Sequence, residues 1–291
     1  MKLYYSPKVT GICSVLVTLM LVASFWQYQR FVAKQAYIKV MEQRLREPVV
    51  KLETLAEDPT TDWSQYYYRR VKVSGQYEFD QEMALRNRRY QGLSGIFALT
   101  PLKLDGLQLN GPTSNGTPPR VLVSRGFIPV ARSDRDTRRV YQKEQSASFI
   151  GLVKESSRQK WLAPPDPKTG LALPWADQWL RVDLPKMAQQ LPYPLLPIYL
   201  EVMETGDSKG VEEQIVFSTA GRDELFFLPG KEAQLSGVKD LPDLNYPIPI
   251  FDTVIPPGRH FGYIFEWAIM AFVTVLAGIV LQLKPRREQM Q

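Results

Sequence analysis

Two apolar runs bracket this chain, one from Val9 to about Trp26 and one from Tyr263 to about Leu283. Each is roughly 18–21 residues, the length that crosses a hydrocarbon core of about 30 Å at about 1.5 Å per residue. Everything between them is polar enough for water. A chain patterned this way is predicted to be held at a membrane by both ends and to present one large domain on a single side. The expected divisions are a tail over 1–8, a span over 9–28, a juxtamembrane helix over 29–47, a β-rich domain over 48–258, a second span over 261–283 and a tail over 284–291. Phe31, Ile38 and Leu45 recur every seven residues and carry the helical pattern past the first span. Glu47-Pro48 then breaks it.

Basic residues near the spans set orientation. Lys2 and Lys8 precede the first, and Lys284, Arg286 and Arg287 follow the second, so both tails are expected in the cytoplasm. Arg30, Lys34 and Arg259 lie on the other side and weaken the asymmetry. An alternative is a signal peptide cleaved near Val22-Ala23-Ser24, which would leave the second span as the sole anchor. Glu266 falls about one turn inside the second span. A charge at the centre of such a helix costs roughly 2.5–3.5 kcal/mol and less near its ends, so Glu266 either reaches water or faces a protein or polar cavity.

The net charge of +6 is spread along the chain and does not indicate nucleic acid. The single cysteine, Cys13, lies in the first span, so the middle domain has no disulfide and must be held by burial and sheet pairing. The N-terminus lacks the amphipathic Arg- and Ser-rich pattern of a mitochondrial transit peptide. A bacterial inner membrane, with the domain in the periplasm, is the expected location.

Between the spans, short strand-like runs dominate. They cover Arg70 to Phe79, Met83 to Tyr90, Gly95 to Leu104, Val121 to Val123, Ser148 to Lys154, Trp179 to Leu184 and Ile198 to Met203. Gly75 reads as a bulge or tight turn, Leu104 to Pro119 as an exposed loop, and Pro185 as the opening of a short helix through Gln190. The Arg132 to Arg139 stretch reads as a solvated turn with local ion pairs, and the Pro-rich Asp243 to Pro257 as a stiff lead into the second span. The predicted class is membrane-anchored α+β: terminal transmembrane helices flanking an antiparallel sheet curled into a barrel or sandwich.

Catalytic patterns are lacking. His260 is the one histidine, which leaves no metal cluster and no Ser-His-Asp arrangement in the domain, and there is no glycine-rich phosphate loop. His260 itself sits where the second span begins. On a helix, Trp267 falls about 20° from it, Thr274 about 40° and Tyr263 about 60°, with Ala271 and Gly278 on the same side. An imidazole with aromatic neighbours suits an axial haem ligand. The same residues also suit an interfacial aromatic belt followed by a small-residue face for helix packing.

The stretch His260-Phe261-Gly262-Tyr263-Ile264-Phe265-Glu266-Trp267 resembles the His-x-x-Tyr-x-x-x-Trp motif of the surfeit-locus (Shy-type) cytochrome oxidase assembly factors. Trp26-Gln27-Tyr28-Gln29-Arg30, with Lys34 beyond, is similar to that family's Trp-Gln-x-x-Arg motif. Asn87-Arg88 with Gly92, Gly95 and Thr100-Pro101-Leu102 is similar to its central block, and Val121 to Pro129 to its Leu-Val-Asn-Arg-Gly-Trp-Val-Pro block. Glu266 stands where the family has Thr or Gln, Ile264 where it has a small residue, Ser124 for Asn and Phe127 for Trp, the pattern of a divergent bacterial member.

The resemblance implies an assembly factor for a haem–copper terminal oxidase and not an enzyme. It implies transient haem a as cofactor, with His260 as iron ligand and Tyr263 and Trp267 as walls. Arg259, beside His260, is one candidate to pair the propionates. Arg88 and Arg125 are further candidates for carboxylates, with a structural role under the sheet as their alternative. Partner contact falls on Glu266, Ala271, Gly278, Trp26, Gln27 and Arg30. The implied partners are oxidase subunit I, haem a synthase and lipid. A cofactor-free scaffold for oxidase intermediates is the alternative function.

Overall fold

The computed structural model describes all residues except 1, 4, 91–92, 108–116, 144, 206–245, 250–257 and 285–291, with backbone alone at 2–3, 204–205, 258–260 and 284. In chain order the elements are β1 (Lys2–Leu3), α1 (Pro7–Leu45), β2 (Val50–Lys51), α2 (Leu52–Glu57), β3 (Arg70–Tyr77), β4 (Met83–Tyr90), β5 (Leu93–Leu104), β6 (Arg120–Pro129), α3 (Arg135–Arg138), β7 (Ser146–Glu155), β8 (Gln178–Trp179), α4 (Leu184–Met187), β9 (Leu195–Thr205), α5 (Gly258–Gln282) and β10 (Leu283–Lys284). They form two compact units, one within Met1–Val40 and Val254–Gln291, the other within Met41–Ser218 and Leu225–Thr253.

In the first unit α1 and α5 lie side by side, and both are long and apolar enough to cross a membrane. Many of their apolar side chains face outward. Leu19, Phe25, Phe272 and Val280 are all more than half exposed. The two helices touch where side chains are small: a Cβ on Gly278 would lie 2.9 Å from Cys13 Sγ. Small residues of this kind let helices approach closely in a bilayer. Polar groups close the rest of the seam. The Ser6 backbone N–H donates to Gln282 Oε1 (2.8 Å), and Ser24 Oγ donates to the Ile264 carbonyl (3.0 Å). Antiparallel pairing of β1 with β10, Lys2 opposite Lys284, brings the two chain ends together.

The second unit is a barrel. Strands β3, β7, β9, β6 and β5 pair in that order, and β3 also pairs with β5, closing the ring; β2 extends it at β3, and β4 and β8 at β5. Most pairs are antiparallel, as predicted, but β2–β3, β4–β8 and β6–β9 are parallel. A parallel neighbour needs a long crossover rather than a hairpin, and β6 and β9 are separated by the α3, β7 and α4 stretches.

The run Val121-Leu122-Val123 explains why β6 lies central. Side chains alternate across a strand, so Val121 and Val123 join one cluster with Val71, Val73, Leu102 and Ile198, capped by Leu52 of α2. Leu122 joins the opposite cluster with Leu99, Phe127, Trp179 and Met187. An uninterrupted apolar run is what burial on both faces requires.

Gly75 is neither a bulge nor a turn. It sits mid-strand, opposite Leu104 of β5 and Ala147 of β7, where a Cβ would come within 2.2 Å of the Lys103 carbonyl oxygen. Glycine there permits the close approach that closes the barrel. Register shifts fall elsewhere, among them one in β4 between Leu85 and Arg88, with Asn87 at φ 61°, a conformation Asn tolerates better than most residues.

The predicted strand over Trp179 to Leu184 is only Gln178–Trp179. Asp183 then caps α4, accepting from the Lys186 backbone N–H at 3.3 Å, which ends extended structure before Leu184. Much of the predicted loop at 104–119, and most of the lead over 243–257, lies outside the described residues. Tyr246 and Ile248 are described. Ile248 pairs with Phe127 and both are buried, so this short piece belongs to the core of the domain.

Candidate functional site

The two ends of the sequence pattern meet at one end of the helix pair. Ser24 reaches the Ile264 carbonyl, and about two turns along α1 the Phe31 ring packs on the Phe261 ring with centroids 5.4 Å apart. Phe261 in turn meets Phe265 edge-on at 5.0 Å. Trp26 to Arg30 and His260 to Trp267, over two hundred residues apart in sequence, therefore lie together. The amphipathic character of this end follows from its residue types: aromatic rings with polar tips, and cations, at the limit of an apolar helix.

His260 and Arg259 lie in the first turn of α5, which begins at Gly258. Tyr263 is 45% exposed, Glu266 is exposed and Trp267 is half-buried. Trp26 is exposed, with the Arg30 guanidinium 5.3 Å from its ring centre, a cation–π pair. Gln27 is half-buried. The Tyr263 phenol and the Trp267 indole stand on the same helix as the Phe261 and Phe265 rings.

The small-residue face of α5 is used inside the chain. Gly278 packs on Cys13, Ala271 is 4% exposed, and Thr274 Oγ1 lies 3.6 Å from Met20 Sδ. Gly278 and Thr274, on the face expected to meet another protein, lie against the chain's own first helix. Glu266 remains outward.

Arg125 belongs to the barrel. It donates to Glu82 Oε2 (2.8 Å) and to the Tyr141 carbonyl (2.7 Å), and its guanidinium stacks on Tyr77 and Phe79 at 5.2 and 4.8 Å from the ring centres. A guanidinium so engaged has no face left for a propionate, so its role is structural. Arg88 stacks on Phe97 at 5.7 Å. Glu82 also accepts from Arg138 Nε (2.9 Å) and Thr100 Oγ1 (3.0 Å), and Asp177 flanks Arg138 on its other side. Arg138 is 1% exposed. The 132–139 stretch, expected to be a solvated turn, thus sends one arginine into the core. No local pattern marks Arg138 among its neighbours; the signal is the acid 56 residues upstream. Separately, a groove of about 710 Å³ opens between Tyr67, Glu155, Arg158, Lys160 and Pro185.

A family model described as the SURF1 family matches residues 14–272. The chain is 24% identical over 194 residues to a SURF1-like protein of Rickettsia bellii (strain RML369-C), covering 64% of this chain and 68% of that protein. It is 27% identical over 154 residues to the cytochrome oxidase assembly protein SHY1 of Saccharomyces cerevisiae, covering 50% of this chain and 36% of that protein. It is 29% identical over 181 residues to surfeit locus protein 1 of Homo sapiens, covering 56% of this chain and 53% of that protein. The match to the last two thus spans about half or less of their length.

Proposed function

Because the chain belongs to the SURF1 family, we propose that it is an assembly factor for a haem–copper terminal oxidase, and that it carries haem a from its synthase to oxidase subunit I. The observation that carries this proposal is the meeting of the Trp26–Arg30 and His260–Trp267 segments at one end of a membrane helix pair. The residue types there fit a porphyrin. His260 would ligate the iron, Tyr263 and Trp267 would flank the ring, and Arg259 would pair a propionate. When bound, haem a supplies the electron-carrying iron that the oxidase needs; this chain would hold and release it without doing redox chemistry. One protein imidazole in a half-open site binds less tightly than two in a closed one, which suits a carrier.

The setting proposed is a bacterial inner membrane, with both tails in the cytoplasm and the barrel in the periplasm. The basic residues at both ends and the pairing of β1 with β10 support it.

Purification in detergent from cells making haem a, followed by a visible spectrum, tests the ligand role. His260→Ala is expected to lose at least nine-tenths of the haem absorbance, and unchanged haem content would overturn that role. A second reading, a scaffold without cofactor, is favoured by the outward Glu266, an acid at membrane depth that calls for a polar partner. Undiminished capture of subunit I by the His260→Ala protein, with no haem on either variant, would select it.

A further inference from the structure

Between β7 and β8 the barrel carries a segment whose exposed side chains are of the wrong kind for water. The Ala163 N–H donates to the Lys160 carbonyl (3.0 Å), closing a turn whose central residues are Trp161 and Leu162. These are 94% and 85% exposed. A second turn follows, closed by Leu173 N–H to the Gly170 carbonyl (3.0 Å), with Leu171 at 75% exposed. Turn centres ordinarily carry Gly, Asn, Asp, Ser or Pro. Large apolar residues there gain nothing from the domain itself.

The segment is built to hold them out. The Asp166 carboxylate is wholly buried between Arg181 Nη1 and Lys186 Nζ. Arg181 Nη2 also donates to the Pro164 carbonyl (2.8 Å), and Lys186 Nζ to Gln159 Oε1 (3.2 Å). Pro164, Pro165 and Pro167 stiffen the backbone between the turns. The one acid from 156 to 174 is thereby neutralised within the fold, while Arg158, Lys160 and Lys168 stay exposed. Beyond Glu155, which is exposed where the segment leaves β7, the outward face is basic and apolar, with an indole at its tip.

We propose that the Lys160–Ala163 turn is a further membrane contact, inserting Trp161 and Leu162 at the headgroup level of an anionic bilayer while Arg158, Lys160 and Lys168 meet lipid phosphates. Charge complementarity selects the occupant: Lys and Arg near a membrane are drawn to anionic lipid, and Trp concentrates at the headgroup boundary. Tethering adds to it. A domain joined to two lipid-embedded helices meets the bilayer at high effective concentration, so weak insertion suffices. Holding the turn stiff removes the ordering cost of docking.

The test uses the full chain carrying Cys13→Ser and Leu162→Cys, labelled at 162 with nitrobenzoxadiazole. It is reconstituted into vesicles of phosphatidylethanolamine and phosphatidylglycerol. Val140→Cys, another exposed site, is the labelled control. Quenching by a shallow lipid nitroxide is expected at 162, at least threefold above that at 140, with shielding from aqueous iodide. Arg158→Glu, Lys160→Glu and Lys168→Glu together should cut the nitroxide quenching at least twofold. Iodide quenching at 162 equal to that at 140, with no nitroxide effect, overturns the proposal. Shielding that arises only on adding a purified oxidase subunit overturns it in favour of a protein partner. The substituted residues of the domain are all exposed, and Cys13→Ser, at the helix seam, is common to the 162 and 140 proteins and cancels between them.

Discussion

At the scale of single residues, the barrel depends on a few charges with no solvent to share. Glu82 is 2% exposed and answers two arginines, a threonine hydroxyl and a glutamine amide. Burial alone would pull the Arg138 guanidinium down, but the hydrogen bonds and charges of Asp177 and Glu82 outweigh it, and its pKa lies above the ordinary arginine value. Removing one partner of such a set leaves an uncompensated buried charge, so Glu82→Gln should cost about 3–5 kcal/mol, measured by denaturant unfolding of the full chain in detergent. Tyr77 behaves in the opposite sense to a salt-bridged acid. Burial raises its pKa above the usual phenol value, and the Arg125 charge only partly offsets this. A raised folded-state pKa means the folded protein holds the proton more tightly. The stability this contributes is fully present below pH of about 10, the unfolded value, and is lost as pH climbs through the folded one. Stability should therefore fall above about pH 10, and less steeply in Tyr77→Phe. Denaturant midpoints taken across that window for both proteins check it; parallel curves would exclude Tyr77.

At the scale of elements, two close approaches decide the architecture. One is between α1 and α5 at Gly278 and Cys13. Replacing Gly278 with cysteine puts two thiols within bonding reach, and mild oxidation of Gly278→Cys should link the helices through Cys13, detected as a crosslink that survives cleavage of the intervening domain. The other is between β3 and β5 at Gly75. Gly75→Val drives a branched side chain at the Lys103 carbonyl and should destabilise the domain by about 1–3 kcal/mol, as overpacking does, with thermal unfolding as the measurement. The glycine at 126 is constrained for another reason. Its φ is 135°, and a Cβ would meet the Ile248 carbonyl oxygen at 2.1 Å. The Arg125-Gly126-Phe127 block thus reads physically as one half-buried cation, one backbone that only glycine adopts easily, and one core ring.

At the scale of the whole molecule, an apolar helix pair and a closed barrel divide the labour that the proposed function needs. Among the described residues, the barrel's core clusters draw nothing from 258–267, so His260→Ala should leave its unfolding temperature within about 2 °C of wild type, the scale of a surface substitution. Oxidase activity of the host membranes should fall all the same. Equal losses of both would mean that His260 holds the fold rather than a ligand.

What the chain announced by itself were the features written in neighbouring residues: two apolar runs of membrane length, the continuation of the first helix to Leu45, the strands from β3 to β7, and the segments on which the family rests. Each depends on a period of two or of about 3.6 and on local breakers, so a window of some ten residues carries it. Tertiary structure alone decided which strands meet, that β3 reaches β5 to close a ring, that β6 and β9 run parallel, and that Arg138 goes inside while Arg139 stays out. It also decided that the small face of α5 belongs to α1. These outcomes turn on partners tens to hundreds of residues away, whose contact energy exists only once the chain has brought them together.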